Sequence, residues 1–206
     1  HITAADWENC DNVSKDGKFV AGETTFGDLT INHNANDRLF SASGKNYGSN
    51  ALATTAYDDG YTASGMYYCN GTGGETRRNV TINNVIAGDK IVVYMASSNA
   101  ATGTLVFKYL GEDNEQVEKA SFTNKGTKYE FVAKYSGSYK VYTDAAAGKP
   151  IYNRIVRIPG VAVSGTIDGA QLSGYKVMFK DEANGITYDA DIKGNTFCLL
   201  YTSDAA

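Results

Sequence analysis

Two lysines, Lys134 and Lys140, flank the turn residues Ser136-Gly137-Ser138 in the stretch KYEFVAKYSGSYKVYTDA, which is rich in strand formers. Folded as a hairpin around that turn, the stretch pairs Tyr135 with Tyr139, Lys134 with Lys140 and Val132 with Tyr142. Tyr129, Phe131, Ala133, Tyr135, Tyr139, Val141 and Thr143 then share one apolar face, which fixes the register. The two ammonium groups face each other on the opposite side, beside Tyr142. Like charges directly opposite destabilise a sheet, so an anionic ligand, or an acid such as Glu130 or Asp144, is expected to relieve them. Arg77-Arg78 adds cations, and Tyr47, Tyr57 and Tyr61 add flat rings from a loop. Such a set suits a sugar. Its C–H faces stack on aromatic rings, polar side chains take its hydroxyls, and Arg or Lys binds the carboxylate of a uronate. The candidate ligand-binding residues are Tyr61, Arg77, Lys134, Lys140 and Tyr142. The bland alternative is a solvated sheet face and a tyrosine loop packed on itself.

Other motifs carry less. The run Gly71-Thr72-Gly73-Gly74 departs from the dinucleotide fingerprint at Thr76, lacks a Walker lysine and leads into a strand. Ser173-Gly174-Tyr175-Lys176 matches SxxK without its partner motifs. Asp189-Ala190-Asp191-Ile192-Lys193-Gly194 opens like a calcium loop, but Lys193 stands where a ligand oxygen is required, so a hairpin turn is expected. With His1 and His33 the only histidines, there is no HExxH, and no serine lies in GxSxG. A small esterase or lyase would have to use His33 as its base. Most acids, as in Asp58-Asp59 and Glu112-Asp113, fall in turns rather than facing each other across a cleft, as glycoside hydrolysis requires. No motif here points to a catalytic centre, and no cofactor and no metal are expected. Asn12, Asn70 and Asn79 open sequons that would matter only in a secreted eukaryotic protein.

The net charge of −4 argues against nucleic acid or an anionic membrane as partner. No apolar run approaches the roughly 20 residues of a membrane helix. The three cysteines have no metal-site spacing. Cys10 and Cys69 could form a disulfide if their strands are neighbours, which would imply an oxidising compartment; two separately buried thiols are the other reading. A start at His1, without Met or signal sequence, is expected of a processed or excised piece.

The elements that must hold these residues are strands and turns, as 22 glycines and 15 tyrosines against two prolines suggest. Val80–Val85, Lys90–Ala96 and Thr104–Leu110 form three strands, joined antiparallel by a turn at 87–89 and the SSNAATG loop. Ile91 to Met95 is apolar on both faces, which predicts a central strand covered on both sides. Further strands are expected at Leu29–Ile31, Arg38–Phe40, Met66–Cys69 and Ile151–Ile158, with Trp7 as a core plug. The segment EDNEQVEKAS reads as an edge loop. The Gly/Ser/Asn/Tyr-rich residues 41–65 form a long loop of the functional kind. Pro159-Gly160 marks a boundary. Residues 161–197, with turns at Asp168-Gly169, Asn184-Gly185 and Lys193-Gly194, form a second β unit smaller than usually folds alone. The expected architecture is all-β: an antiparallel, jelly-roll-like β-sandwich over 1–158 plus a small partial unit.

The order MYYCNGTGGETRRNVTI, IVVYMASS, TLVFKYLG, YEFVAKYSGSYKVYT and IYNRIVRIPG resembles the β-sandwich modules attached to secreted bacterial pectate lyases, pectin esterases and related plant-cell-wall enzymes. The resemblance covers roughly residues 1–158. It implies a non-catalytic, monomeric, secreted or cell-surface accessory module linked to a catalytic domain. Its partner would be a plant cell-wall polysaccharide, with pectin or another acidic glycan the first choice. A structural spacer or adhesion module without a sugar site is the alternative. The segment VSGTIDG…GYKVMF…GITYDADIKGNTF is similar to the opening strands of small immunoglobulin-like repeats. CLLYTSDAA resembles a translated sequencing-adapter tail on metagenomic reading frames, which implies that residues 198–206 are not native.

Overall fold

The computed structural model describes residues 17–41, 51–98, 102–111, 115–144, 149–167, 174–181 and 186–201. Segments alternating apolar and polar residues form two antiparallel sheets, each with one face turned to a shared core. The first sheet contains, in spatial order, β1 (Gly22–Phe26), β2 (Leu29–His33), β5 (Asn79–Val85), β10 (Gly137–Asp144), β7 (Gly103–Tyr109) and β8 (Val117–Phe122). The second contains β3 (Arg38–Ser41), β4 (Gly65–Tyr68), β11 (Pro150–Ile158), β6 (Lys90–Ser97) and β9 (Thr127–Val132). The expected jelly-roll-like β-sandwich is present. Among the described residues the single helical piece is a 3₁₀ turn at Ala51–Thr54.

The core lies between the sheets. Val80, Ile82, Leu105, Phe107, Tyr139 and Val141 of one sheet meet Ile91, Val93, Met95, Phe131, Ile151 and Ile155 of the other. Phe107 stacks on Tyr139 within its sheet, centroids 4.5 Å apart, and on Phe131 across the core at 4.9 Å. Strand β6 is buried on both faces, as its unbroken apolar run requires. Its inward side chains enter the core, while Val92 and Tyr94 pack with Tyr57 and Ala63 of the loop that crosses the sheet's outer face.

Two sequence expectations fail because a turn signal does not say which sheet the chain enters next. Strands β5, β6 and β7 do not pair with one another; β5 and β7 flank β10, and β6 lies in the other sheet between β11 and β9. The Ser136-Gly137-Ser138 turn is likewise a crossing and not a hairpin, with β9 paired to β6 and β10 paired to β5 and β7. Phe131, Ala133 and Val141 are buried in one core as expected, but Phe131 and Val141 reach it from facing sheets. Lys134 therefore never meets Lys140. The supposed edge loop at 112–121 contains β8, an edge strand of the six-stranded sheet.

The Pro159-Gly160 boundary has a steric cause. A Cβ at position 160 would collide with the Gly88 carbonyl, and the Gly160 N–H donates to Asp89 Oδ1 at 3.0 Å. Asp89 also accepts from Ile86 N, so one buried carboxylate ties the 86–89 turn to the end of the sandwich. Beyond it, β12 (Val161–Thr166), β16 (Thr196–Tyr201) and β15 (Asp191–Lys193) form a three-stranded sheet, while β13 (Met178–Asp181) pairs with β14 (Ile186–Asp189). Among the described residues none of these pairs with a sandwich strand. The central strand β16 continues through Cys198 to Tyr201, four residues past the end expected for this unit. Trp7, Cys10 and Tyr47 lie outside the described residues.

Candidate functional site

The outward face of the six-stranded sheet carries a row of ligand-type side chains. The register places Thr25, Thr30, Thr81, Lys140 and Lys108 in one cross-strand row running from β1 to β7. Lys140 thus does face a lysine, but it is Lys108 of β7 rather than Lys134. The acid that relieves the pair is Glu75, not Glu130 or Asp144. Lys108 Nζ donates to Glu75 Oε1 at 2.6 Å, and Lys140 Nζ to the Glu75 carbonyl at 3.0 Å. The hydrogen bond from Lys108 holds the Glu75 carboxyl below its usual range, and the same bond raises the Lys108 ammonium. Tyr142, next outward residue on β10 after Lys140, is half-buried.

The glycine-rich loop beside this row forms a pocket of about 410 Å³ with Tyr142, Thr143 and Asp144; Thr72, Gly73, Gly74, Glu75 and Arg77 supply its other wall. A buried ion pair holds the loop. Arg78 Nε donates to Asp37 Oδ1 at 2.8 Å, and the fully buried Asp37 carboxylate also accepts from Asn70 N, Asn34 N and the Tyr67 hydroxyl. Gly71 leaves room for the guanidinium, since a Cβ there would lie 2.8 Å from Arg78 Cζ. Arg78 itself adopts φ 51°, a left-handed conformation that costs a non-glycine residue about 1–2 kcal/mol. The side chain of Asn79, also buried, donates to the Gly74 and Glu75 carbonyls and so fixes the segment that presents Glu75.

Of the five predicted site residues, Arg77, Lys140 and Tyr142 come together here. Tyr61 lies on the outer face of the other sheet, stacked on Tyr57 with centroids 5.7 Å apart and edge-on to Tyr94 at 4.7 Å. Lys134 sits past the end of β9, at a cavity of about 490 Å³ whose remaining walls include β12, β15 and β16. Lys108, Glu75 and Asp37 were missed. A basic residue on β7 facing outward at the register of Lys140 is visible only once β7 and β10 are known to be neighbours.

His33 is packed inside the sandwich rather than at an open cleft. Its ring is 2% exposed, lies 4.0 Å from Phe19 in a parallel stack, and shares a 2.8 Å hydrogen bond with Thr24 Oγ1. Burial lowers its pKa to about 4, against a smaller opposing effect of Asp37. The unfolded chain takes up this proton more readily than the folded one, so stability is complete above pH 6.5 and declines as pH falls from there towards 4. The loss attributable to this residue should reach roughly 3 kcal/mol. Urea melts from pH 7 to pH 4 test this: His33→Gln should lose markedly less stability over that range than the parent. Cys69 is a free, fully buried thiol whose pKa burial pushes up; Cys10, its suggested partner, lies outside the described residues.

No family model and no curated protein matches the chain. Among solved structures it is similar to an exo-β-1,3-galactanase from Phanerochaete chrysosporium. A variant of that enzyme with β-1,3-galactotriose aligns at 13% identity and TM-score 0.34, covering 67% of this chain and 30% of that one. The same enzyme with galactose aligns at 12% identity and TM-score 0.34, with the same coverage. The chain thus spans under a third of that enzyme's length.

Proposed function

We propose that the sandwich is a non-catalytic glycan-binding module, an accessory to a secreted enzyme acting on plant polysaccharide, and that an acidic glycan such as pectin binds the outward face of its six-stranded sheet. The observation that carries this is the Lys108–Lys140 pair, two cations in register, one bonded to the Glu75 carboxylate and the other to the Glu75 backbone carbonyl, beside Tyr142 and an open polar pocket. Glu75 occupies the position a uronate carboxylate would take. An incoming uronate displaces it, stacks its ring near Tyr142, and offers hydroxyls to Thr72, Arg77 and Asp144. Secretion and the link to a catalytic domain rest on the family resemblance.

The internal bonds of the pair also favour a second reading, a spacer whose surface polar groups satisfy one another. Affinity electrophoresis separates the two. Homogalacturonan in the gel should retard the protein, while a neutral β-glucan should not; mobility unchanged by every acidic glycan would support the spacer. Because Glu75 competes with the ligand, Glu75→Gln should bind oligogalacturonate several-fold more tightly, the expected effect of removing one charge a few ångströms from a surface site. Weaker binding would show that Glu75 contacts the ligand rather than standing in for it.

A further inference from the structure

The outer face of the five-stranded sheet holds a second cation in a different setting. Arg154 of β11 lies opposite Tyr94 of β6. Its guanidinium carbon is 4.8 Å from the centroid of the Tyr61 ring and 5.8 Å from that of Tyr94. Arg78 and Arg157 are both paired with carboxylates. Arg154 makes no hydrogen bond or ion pair among the described residues. The nearby acids are engaged elsewhere: Asp59 accepts from the Tyr94 hydroxyl and pairs with Lys128, and Glu130 pairs with Lys128 and Lys90.

The surroundings of this guanidinium are built. Asn153 is the extra residue at a break in the β11 register and is buried. Its amide donates to the Leu52 and Gly65 carbonyls, and its Oδ1 accepts from the Tyr57 hydroxyl at 2.7 Å. The bulge thereby pins both ends of the 52–65 loop, and Tyr57 stacks against Tyr61. A guanidinium that lies over aromatic rings and makes no hydrogen bond keeps its N–H donors for a ligand, and their fork matches a planar carboxylate bidentately. Further along the strand Val156 and Ile158, half-buried, continue an apolar strip suited to the C–H face of a sugar ring.

We propose that Arg154, framed by Tyr61 and Tyr94, is a second carboxylate-binding site, taking a uronate of an acidic glycan on the sheet opposite the first. The choice of a glycan as bearer of the carboxylate rests on the proposed function; the site itself does not depend on the six-stranded face. Two sheets packed about 10 Å apart turn the two sites in opposite directions, so one module engages two separate chains and bridges them.

Calorimetric titration of the full chain with a short oligogalacturonate tests this, with thermal melts confirming that each variant folds. The parent should bind two oligomers. Arg154→Ala should bind one, and Arg154→Lys, which keeps the charge and loses the fork, should weaken that site about tenfold. Lys108→Ala/Lys140→Ala should retain the Arg154 site and lose the other. A parent that binds one oligomer, unaffected by Arg154→Ala, overturns the second site and leaves the first standing. One oligomer lost in Arg154→Ala and untouched by the double lysine variant overturns the six-stranded face and upholds Arg154. No binding by the parent overturns both.

Discussion

Arg78→Ala should destabilise the sandwich by about 3–5 kcal/mol, the cost of leaving a buried carboxylate without its counter-ion. Asp37 has no exposed surface and Arg78 is 11% exposed, so solvent does little to replace the lost partner. Asp37 would keep the N–H groups of Asn34 and Asn70 and the Tyr67 hydroxyl, which orient the carboxylate without neutralising it. The left-handed backbone at position 78 offers no offset, since alanine pays a similar penalty there. For a chain of this size the change corresponds to a fall in Tm on the order of 10 °C. Arg78→Lys should fall between parent and alanine, because an ammonium can approach the carboxylate but cannot reproduce the Nε geometry. Urea melts give the answer directly, and a loss below about 1 kcal/mol would mean that the pair is not what holds the loop.

Lys108→Ala/Lys140→Ala should weaken oligogalacturonate binding at the six-stranded face by about 10- to 100-fold. Each lysine offers a charge-assisted hydrogen bond, and both are lost together. The exposure of the site sets the upper limit, because charges farther apart than about 8 Å are screened at physiological ionic strength. The same screening gives a signature that packing would not. Binding of the parent at this face should weaken as salt rises, whereas whatever binding the double variant keeps at this face should respond much less. Fold stability should scarcely change, since the Lys108–Glu75 pair lies at the surface with 34% and 44% of its side chains exposed and such pairs contribute about 0–1 kcal/mol. Loss of binding can therefore be separated from loss of fold.

Local chemistry was legible in the sequence and partnership was not. The strands at Val80–Val85, Lys90–Ala96 and Ile151–Ile158 follow from runs of β-branched and aromatic residues, and the two-sided burial of β6 follows from its unbroken apolar run. Alternation, however, gives the face a side chain takes and not the sheet in which it takes it. In a sandwich both sheets turn apolar faces to one core. Tyr129 and Phe131 therefore look the same whether the chain returns beside itself or crosses over, and the hairpin register of Lys134 with Lys140 was wrong for that reason. The site was half visible. Arg77, Lys140 and Tyr142, singled out by residue type, lie near one another, and a like-charge pair needing an acid was expected at Lys140. The lysine and the acid that actually lie beside Lys140, Lys108 and Glu75, come from 32 and 65 positions earlier in the chain, brought in by the β7–β10 register and by a glycine loop. Asp37 gave no signal at all. An acid between Asn36 and Arg38 reads as a turn residue until Arg78 and Asn70 are folded onto it.

Backbone amide chemical-shift mapping with a short oligogalacturonate tests the central claim most directly, because it reports where the ligand sits and needs no variant. Saturable shifts should cluster at Thr81, Lys108, Lys140 and Tyr142 and along residues 72–77, whatever happens around Arg154. A titration that leaves those residues unmoved while the oligomer is in large excess would contradict a glycan site on the six-stranded face.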